Sequence, residues 1–175
     1  QYSEKVYRFD VEAPLIAKSR KAGNFVIIRV DANSERMPLT IADADIEKGT
    51  ITLVVQKVGL SSTKLCNLNE GDEIHDVVGP LGNPTHIENF GTVLCAGGGV
   101  GVAPMLPIIK ALKAAGNRVL SVIAGRSKDL VIMEDEVRAS SDELIIMTDD
   151  GSYGEKGVVT VGMEKLIQQE HIDKA

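Results

Sequence analysis

Apolar positions in roughly the first half of the chain recur at period two, in short runs separated by turn residues. Phe25-Val26-Ile27-Ile28-Arg29-Val30 follows the turn signal Ala22-Gly23-Asn24, and residues 50–58 run between Lys48-Gly49 and Gly59. Both runs predict strands. Asn69-Glu70-Gly71-Asp72 predicts a turn, and Glu73-Ile74-His75-Asp76-Val77-Val78 alternates as a half-buried strand does. Several short strands with regular turn signals predict a small antiparallel β-barrel. The pattern changes near Phe90-Gly91. Thr92-Val93-Leu94-Cys95-Ala96 reads as a short apolar strand and is followed by glycines. A helix comes next, with Pro104 in its first turn, where a missing N–H does no harm. Met105, Ile108, Ile109 and Leu112 share one apolar face of it. Residues 118–124 read as a strand, 131–139 as a helix, 143–148 as a strand and 161–170 as a helix. Strand alternating with helix predicts a parallel sheet with right-handed crossovers.

The expected fold is thus an antiparallel β-barrel over residues 1–89 followed by an α/β parallel-sheet domain over residues 90–175. Three parallel strands make a small open sheet, so the natural chain is expected to continue past Ala175 and add strands.

Composition narrows the function classes. The net charge is −6 and there is no Trp among few aromatic residues. A single-stranded nucleic-acid binder offers stacking rings and a basic groove, and this chain offers neither. Nucleic acid and membrane are therefore not expected partners, and the chain reads as cytoplasmic. Cys66 and Cys95 are the two cysteines. They form no C-x-x-C pair, so they supply neither a zinc site nor an iron–sulfur cluster and read as reduced, partly buried thiols. His75, His86 and His171 lack metal-ligand spacing, and no metal ligand is expected. The acidic run Glu134-Asp135-Glu136 reads as a solvated helix face.

The strongest local signal is Ala96-Gly97-Gly98-Gly99-Val100-Gly101-Val102-Ala103-Pro104, between a strand and a helix. Glycine is required where a pyrophosphate or ribose approaches the backbone, and a helix N-terminus adds amides and a positive dipole end. A tight structural turn is the other reading. The motif is not G-x-G-x-x-G, and the second strand ends in Gly125-Arg126 rather than in an acidic residue, which disfavours an ordinary Rossmann dehydrogenase. A second signal is Glu35-Arg36-Met37-Pro38-Leu39-Thr40, placed between two β segments. Its Arg suits a pyrophosphate and its Thr a flavin ring nitrogen, or the Arg lies at the surface of a turn. A third is Val58-Gly59-Leu60-Ser61-Ser62-Thr63, which reads as a phosphate cradle or as a helix cap. Arg126 and Lys128 read either as partners for a 2′-phosphate or as plain surface cations.

These pieces, with Gly79-Pro80-Leu81-Gly82-Asn83-Pro84 and Thr148-Asp149-Asp150-Gly151-Ser152-Tyr153-Gly154, stand in an order that resembles the ferredoxin–NADP reductase superfamily. More narrowly, the chain is similar to the small electron-transfer subunits that accompany dihydroorotate dehydrogenase (an enzyme of pyrimidine biosynthesis), sulfide dehydrogenase and NADH-dependent ferredoxin–NADP oxidoreductase. The resemblance implies FAD on the barrel domain and NAD(H) or NADP(H) on the α/β domain. It implies that Arg36, Pro38, Leu39 and Thr40 line the flavin and that Gly59, Ser61, Ser62 and Thr63 hold its pyrophosphate. Gly98, Gly99 and Gly101 would admit the nicotinamide nucleotide, with Asp150 and Gly151 nearby. Many relatives carry Arg-x-Tyr-Ser, where this chain has an aliphatic Leu39. The implied function is a flavin-dependent oxidoreductase module that moves hydride between NAD(P)H and FAD. It would pass electrons to an iron–sulfur centre and to a larger catalytic subunit of a hetero-oligomer. No catalytic side chain is implied, and a 2Fe–2S cluster is expected only in a longer natural chain. The rival class is a flavin- or nucleotide-binding regulatory module without turnover, with a bare structural subunit as a third option.

Overall fold

In β2 (Phe25–Arg29) Val26 and Ile28 are buried while Phe25, Ile27 and Arg29 are half-buried, the alternation of a strand with one face on a core. A computed structural model describes residues 1–175, which divide into two compact units, Gln1–Thr85 and His86–Ala175.

The first unit adds β1 (Val6–Glu12), β3 (Met37–Asp45), β4 (Thr50–Gln56) and β5 (Asp76–Leu81) to β2. All pairs are antiparallel, in the order β1-β4-β3-β2-β5. β3 changes partner along its length. Residues 37–40 pair with β2, and residues 41–45 pair with β4 across a bulge between Ile41 and Asp43. A bulge bends its strand, and here all five strands contribute to one core. Ile28, Ile41, Ile51 and Leu53 meet Ile16 of α1 (Pro14–Ser19) and Leu65 of α2 (Leu60–Cys66) there.

Three sequence expectations are corrected in this unit. Met37 to Thr40 do not lie between strands; they open β3. The last strand begins at Asp76 rather than Glu73 and runs on to Leu81. Glu73 and His75 are exposed, and Ile74 reaches the core from outside any ladder, which mimics strand alternation. β4 stops at Gln56 rather than Val58.

In the second unit β6 (Thr92–Gly98), β7 (Arg118–Gly125), β8 (Glu143–Thr148) and the short β9 (Glu155–Lys156) form a parallel sheet in sequence order. α5 (Val159–Gln169) covers the face that carries Leu94, Leu120, Val122 and Met147, with Leu166 fully buried. α3 (Val102–Ala114) and α4 (Glu134–Ser140) pack on each other and on the strands. A Cβ built on Gly162 would lie 2.7 Å from Val122 Cγ1, so α5 sits closely on the sheet. α4 starts at Glu134 and not at Val131, because Met133 adopts a left-handed backbone with φ 58° that a helix cannot continue through. After α5, Asp173 and Lys174 run parallel to β6: Leu94 N–H donates to Lys174 O at 2.8 Å and Asp173 N–H to Thr92 O at 2.9 Å.

Both cysteines are free, and burial pushes the Cys95 thiol up to about 11. No cluster of three or more His, Cys, Asp or Glu side chains is placed to hold a metal ion. No helix is long and apolar enough to cross a membrane.

Candidate cofactor sites

The glycines at the end of β6 and just beyond it serve three different ends. A Cβ on Gly97 would lie 3.2 Å from Gly101 O, so this glycine makes the turn tight. Gly99 has φ +53°, a backbone that disfavours any side chain. Gly98 and Gly101 answer to neither demand. Their φ values are −123° and −64°. A Cβ on Gly101 would meet nothing within 4 Å, and on Gly98 nothing nearer than 3.8 Å. They leave an open floor at the N-terminus of the thirteen-residue α3, where amides and dipole favour an anion. That floor fits a nucleotide.

The neighbouring strand ends close on the same edge of the sheet, where open α/β sheets take their ligands. Gly98 pairs with Ala124, and Gly125 with Thr148. Beyond them Asp149 N–H donates to Gly125 O at 3.1 Å and Asp150 N–H to Arg126 O at 3.2 Å. Thr148 is fully buried. Its hydroxyl donates to Tyr153 O at 2.6 Å and accepts the Tyr153 amide at 3.2 Å. The Asp150 carboxylate accepts the Ser152 amide at 2.9 Å, and the Ser152 hydroxyl and amide hold it below the usual carboxylate range. Asp150 and Gly151 are left exposed.

In the first unit the candidate flavin residues fall on two segments. Arg36 is exposed and immediately precedes β3. Within β3 the period-two pleat separates Pro38 and Thr40 from Leu39. Leu39 is half-buried and packs against the core, so it supports this segment from inside. Pro38 can stand in an interior strand because this stretch pairs only with β2. Gly59 precedes α2, and a Cβ there would meet nothing within 4 Å. Ser61 and Thr63 are half-buried in the first turn of α2. Ser62 is buried, and its hydroxyl is used inside the chain. It accepts the amides of Val58 at 3.0 Å and Gly59 at 2.9 Å, and donates to Gly59 O at 3.1 Å. Ser62 therefore closes a capping box on Gly59, the N-cap residue of α2, and its side chain is not free to meet a phosphate. Lys64 ties the two segments together, donating to Asp31 at 2.8 Å and to Ser34 at 3.3 Å.

Cations separate the sites from the rest of the surface. Of the seven arginines, Arg8, Arg20, Arg29, Arg118 and Arg138 each pair with a carboxylate. Arg36 and Arg126 have no such partner. One stands beside the Pro38–Thr40 segment and the other beside the strand-end loops. Lys128 is less available: its ammonium lies 5.1 Å from the centre of the Tyr153 ring.

Sequence reasoning missed Lys64, Asp31, Tyr153 and Glu134. The Lys64–Asp31 and Tyr153–Glu134 bonds span 33 and 19 residues, so neither partnership shows in a local pattern, although Tyr153 lies within the Thr148–Gly154 motif. Glu134 also departs from the solvated face expected of its acidic run. It is half-buried and accepts hydrogen bonds from Tyr153 and Arg138.

This two-domain architecture, an antiparallel five-stranded sheet and then a parallel sheet with a glycine turn, matches the ferredoxin–NADP reductase-like fold. No family model matches the chain. It is 49% identical over 171 residues to the dihydroorotate dehydrogenase B (NAD(+)) electron transfer subunit homolog of Thermotoga maritima, covering 98% of this chain and 60% of that protein. It is 32% identical over 172 residues to the corresponding electron transfer subunit of Fusobacterium nucleatum, covering 95% of this chain and 66% of that one. Among solved structures, it superposes with a TM-score of 0.93 and 45% identity on a chain of the NADH-dependent reduced ferredoxin–NADP oxidoreductase, over 97% of this chain and 61% of that one. The chain is thus a homologue of these electron-transfer subunits and spans somewhat under two thirds of their length.

Proposed function

We propose that the first unit binds FAD and the second binds NAD(H) or NADP(H), and that the chain is the hydride-accepting part of an electron-transfer subunit. The observation that carries this reading is the pair Gly98 and Gly101. Neither backbone angle nor packing requires glycine at these positions, whereas a nucleotide laid on the N-terminus of α3 does require it. Arg36, unpaired at the start of β3, supplies charge-assisted bonds to a pyrophosphate. Pro38 and Thr40 border the flavin, and the Gly59–Thr63 backbone accommodates its phosphates with Ser62 capping α2. Gly99, Asp150 and Gly151 border the nicotinamide nucleotide, and Arg126 faces its phosphates.

Bound together, the two cofactors would supply hydride transfer between nicotinamide C4 and flavin N5, with single electrons leaving for an iron–sulfur centre. The side chains orient and neutralise; none needs to move a proton. A larger oxidoreductase subunit receives the electrons, as the names of the relatives suggest. The test is anaerobic absorbance of the FAD-loaded chain titrated with NADH and, separately, NADPH. Bleaching of the flavin bands supports the reading. Flavin retained without bleaching by either nucleotide favours a regulatory binding module, and failure to bind flavin overturns the proposal.

A further inference from the structure

Glu134 and Tyr153 form a side-chain bridge that the function above does not use. Tyr153 lies in the loop after β8 and Glu134 is the first residue of α4. The Tyr153 hydroxyl donates to Glu134 Oε2 at 3.0 Å and reaches Oε1 at 3.2 Å. Arg138, one turn along α4, donates to the same carboxylate at 2.8 Å. The other groups about the ring are few. Lys128 Nζ stands 5.1 Å from its centre, and the Lys128 amide donates to Ser152 Oγ at 2.9 Å. Tyr153 is therefore held at its hydroxyl by α4, at its ring face by Lys128, and at both backbone groups by Thr148.

The loop pinned in this way carries Asp150 and Gly151. Its other anchors are the Asp149 and Asp150 amides, which donate to Gly125 O and Arg126 O, and the Ser152 hydroxyl, which accepts the Lys128 amide at 2.9 Å. All of these hold the loop to the end of β7 and the segment that follows it. The Tyr153–Glu134 bond is the hydrogen bond that ties the loop to α4.

We propose that Glu134 is a positioning residue for the nicotinamide nucleotide: through the Tyr153 hydroxyl it fixes the loop that presents Asp150 and Gly151 beside Arg126 and the glycine floor. The inference rests on the nucleotide reading of this edge of the sheet. Glu134 itself does not touch the nucleotide. Its carboxylate acts by accepting a hydrogen bond, so an amide in its place keeps the function, while loss of either bonded group releases the loop. A released loop spends part of its time in orientations that cannot bind, and the apparent affinity falls by the competent fraction.

The experiment measures nucleotide binding with NAD+ and NADP+, which leave the oxidised flavin oxidised, by quenching of flavin fluorescence in the FAD-loaded chain. The variants are Tyr153→Phe, Glu134→Ala, Glu134→Gln and Arg138→Met, and amide exchange at residues 149–152 is followed without nucleotide. Loss of one hydrogen bond is expected to raise Kd about five- to tenfold in Tyr153→Phe and Glu134→Ala. Exchange at 149–152 should be faster in the same two variants. Glu134→Gln should stay within about twofold of the parent, and so should Arg138→Met, which breaks only an exposed i,i+4 pair. FAD retention should not change in any of them. Parent-like Kd in Tyr153→Phe and Glu134→Ala overturns the positioning role while the nucleotide reading stands. So does a Glu134→Gln variant as weak as Glu134→Ala, since that would mean charge and not the bond matters. A parent chain that binds FAD but neither NAD+ nor NADP+ overturns the nucleotide reading itself, and the positioning role with it.

Discussion

Adjacent glycines in one turn carry different costs, and this separates ligand binding from folding. Gly99→Ala forces a side chain into a left-handed backbone and should destabilise the second unit by about 1–2 kcal/mol. Gly101→Ala meets open space at φ −64° and should leave the urea midpoint unchanged or slightly raised. Its affinity for NAD+ should nevertheless fall at least tenfold, measured by the same quenching titration. Equal affinities for the parent and Gly101→Ala would make the turn purely structural. Arg36→Ala makes the matching case in the first unit. Removing a charge-assisted contact is expected to weaken FAD binding by roughly 1.5–3 kcal/mol, with little change in stability, because Arg36 has no partner within the chain to lose.

At the scale of elements, α2 and its tether to the turn before β3 can be tested without any cofactor. Ser62→Ala leaves the Val58 and Gly59 amides without their acceptor and should cost about 1–2 kcal/mol. Lys64, Ser34 and the Asn33 amide hold the Asp31 carboxyl down to about 2, below its ordinary 3.8. A carboxyl whose pKa is depressed by folding stabilises the protein while it is ionised. Its contribution is therefore complete above about pH 4 and is lost as the pH falls toward 2. Urea midpoints of the parent and Asp31→Asn should differ at neutral pH and converge over that window. Element by element, the sequence was legible where a pattern is local. β2, β6 and β8 follow from their apolar runs, and α3 follows from Pro104 and the Met105–Leu112 face. β1 carries a local signal too, Tyr7, Phe9 and Val11 alternating with Arg8, Asp10 and Glu12, whereas α1, only six residues long, carries none. The start of α4 was misread because a left-handed Met133 leaves no mark in the sequence. Among the proposed site residues, the glycines and Arg36 stand out by residue type alone. The cap role of Ser62 and the inward turn of Leu39 depend on neighbours brought together only by folding.

Each unit of the whole molecule has its own hydrophobic core, so ligand linkage can be assigned to one core or the other. A ligand that binds only the native state stabilises it by about 2.7 kcal/mol at a hundred times its Kd. Saturating FAD should slow amide exchange at Val26, Ile28, Ile41 and Leu53, the first core. NADH should slow it at Leu94, Leu120 and Val122, the second. Exchange followed residue by residue, with each ligand in turn, checks the assignment; protection in the opposite core would reverse it.

The two unpaired guanidinium groups have a spectroscopic consequence. Five arginines carry Nε–H or Nη–H protons already engaged by carboxylates, whereas those of Arg36 and Arg126 meet only solvent. In a proton–nitrogen correlation spectrum of the side chains, these two should broaden first as the pH is raised, because their protons leave fastest. Adding FAD should sharpen one of them and adding the pyridine nucleotide the other. On the proposed reading each of these guanidinium groups reports one cofactor, and both are read in a single nitrogen-15-enriched sample.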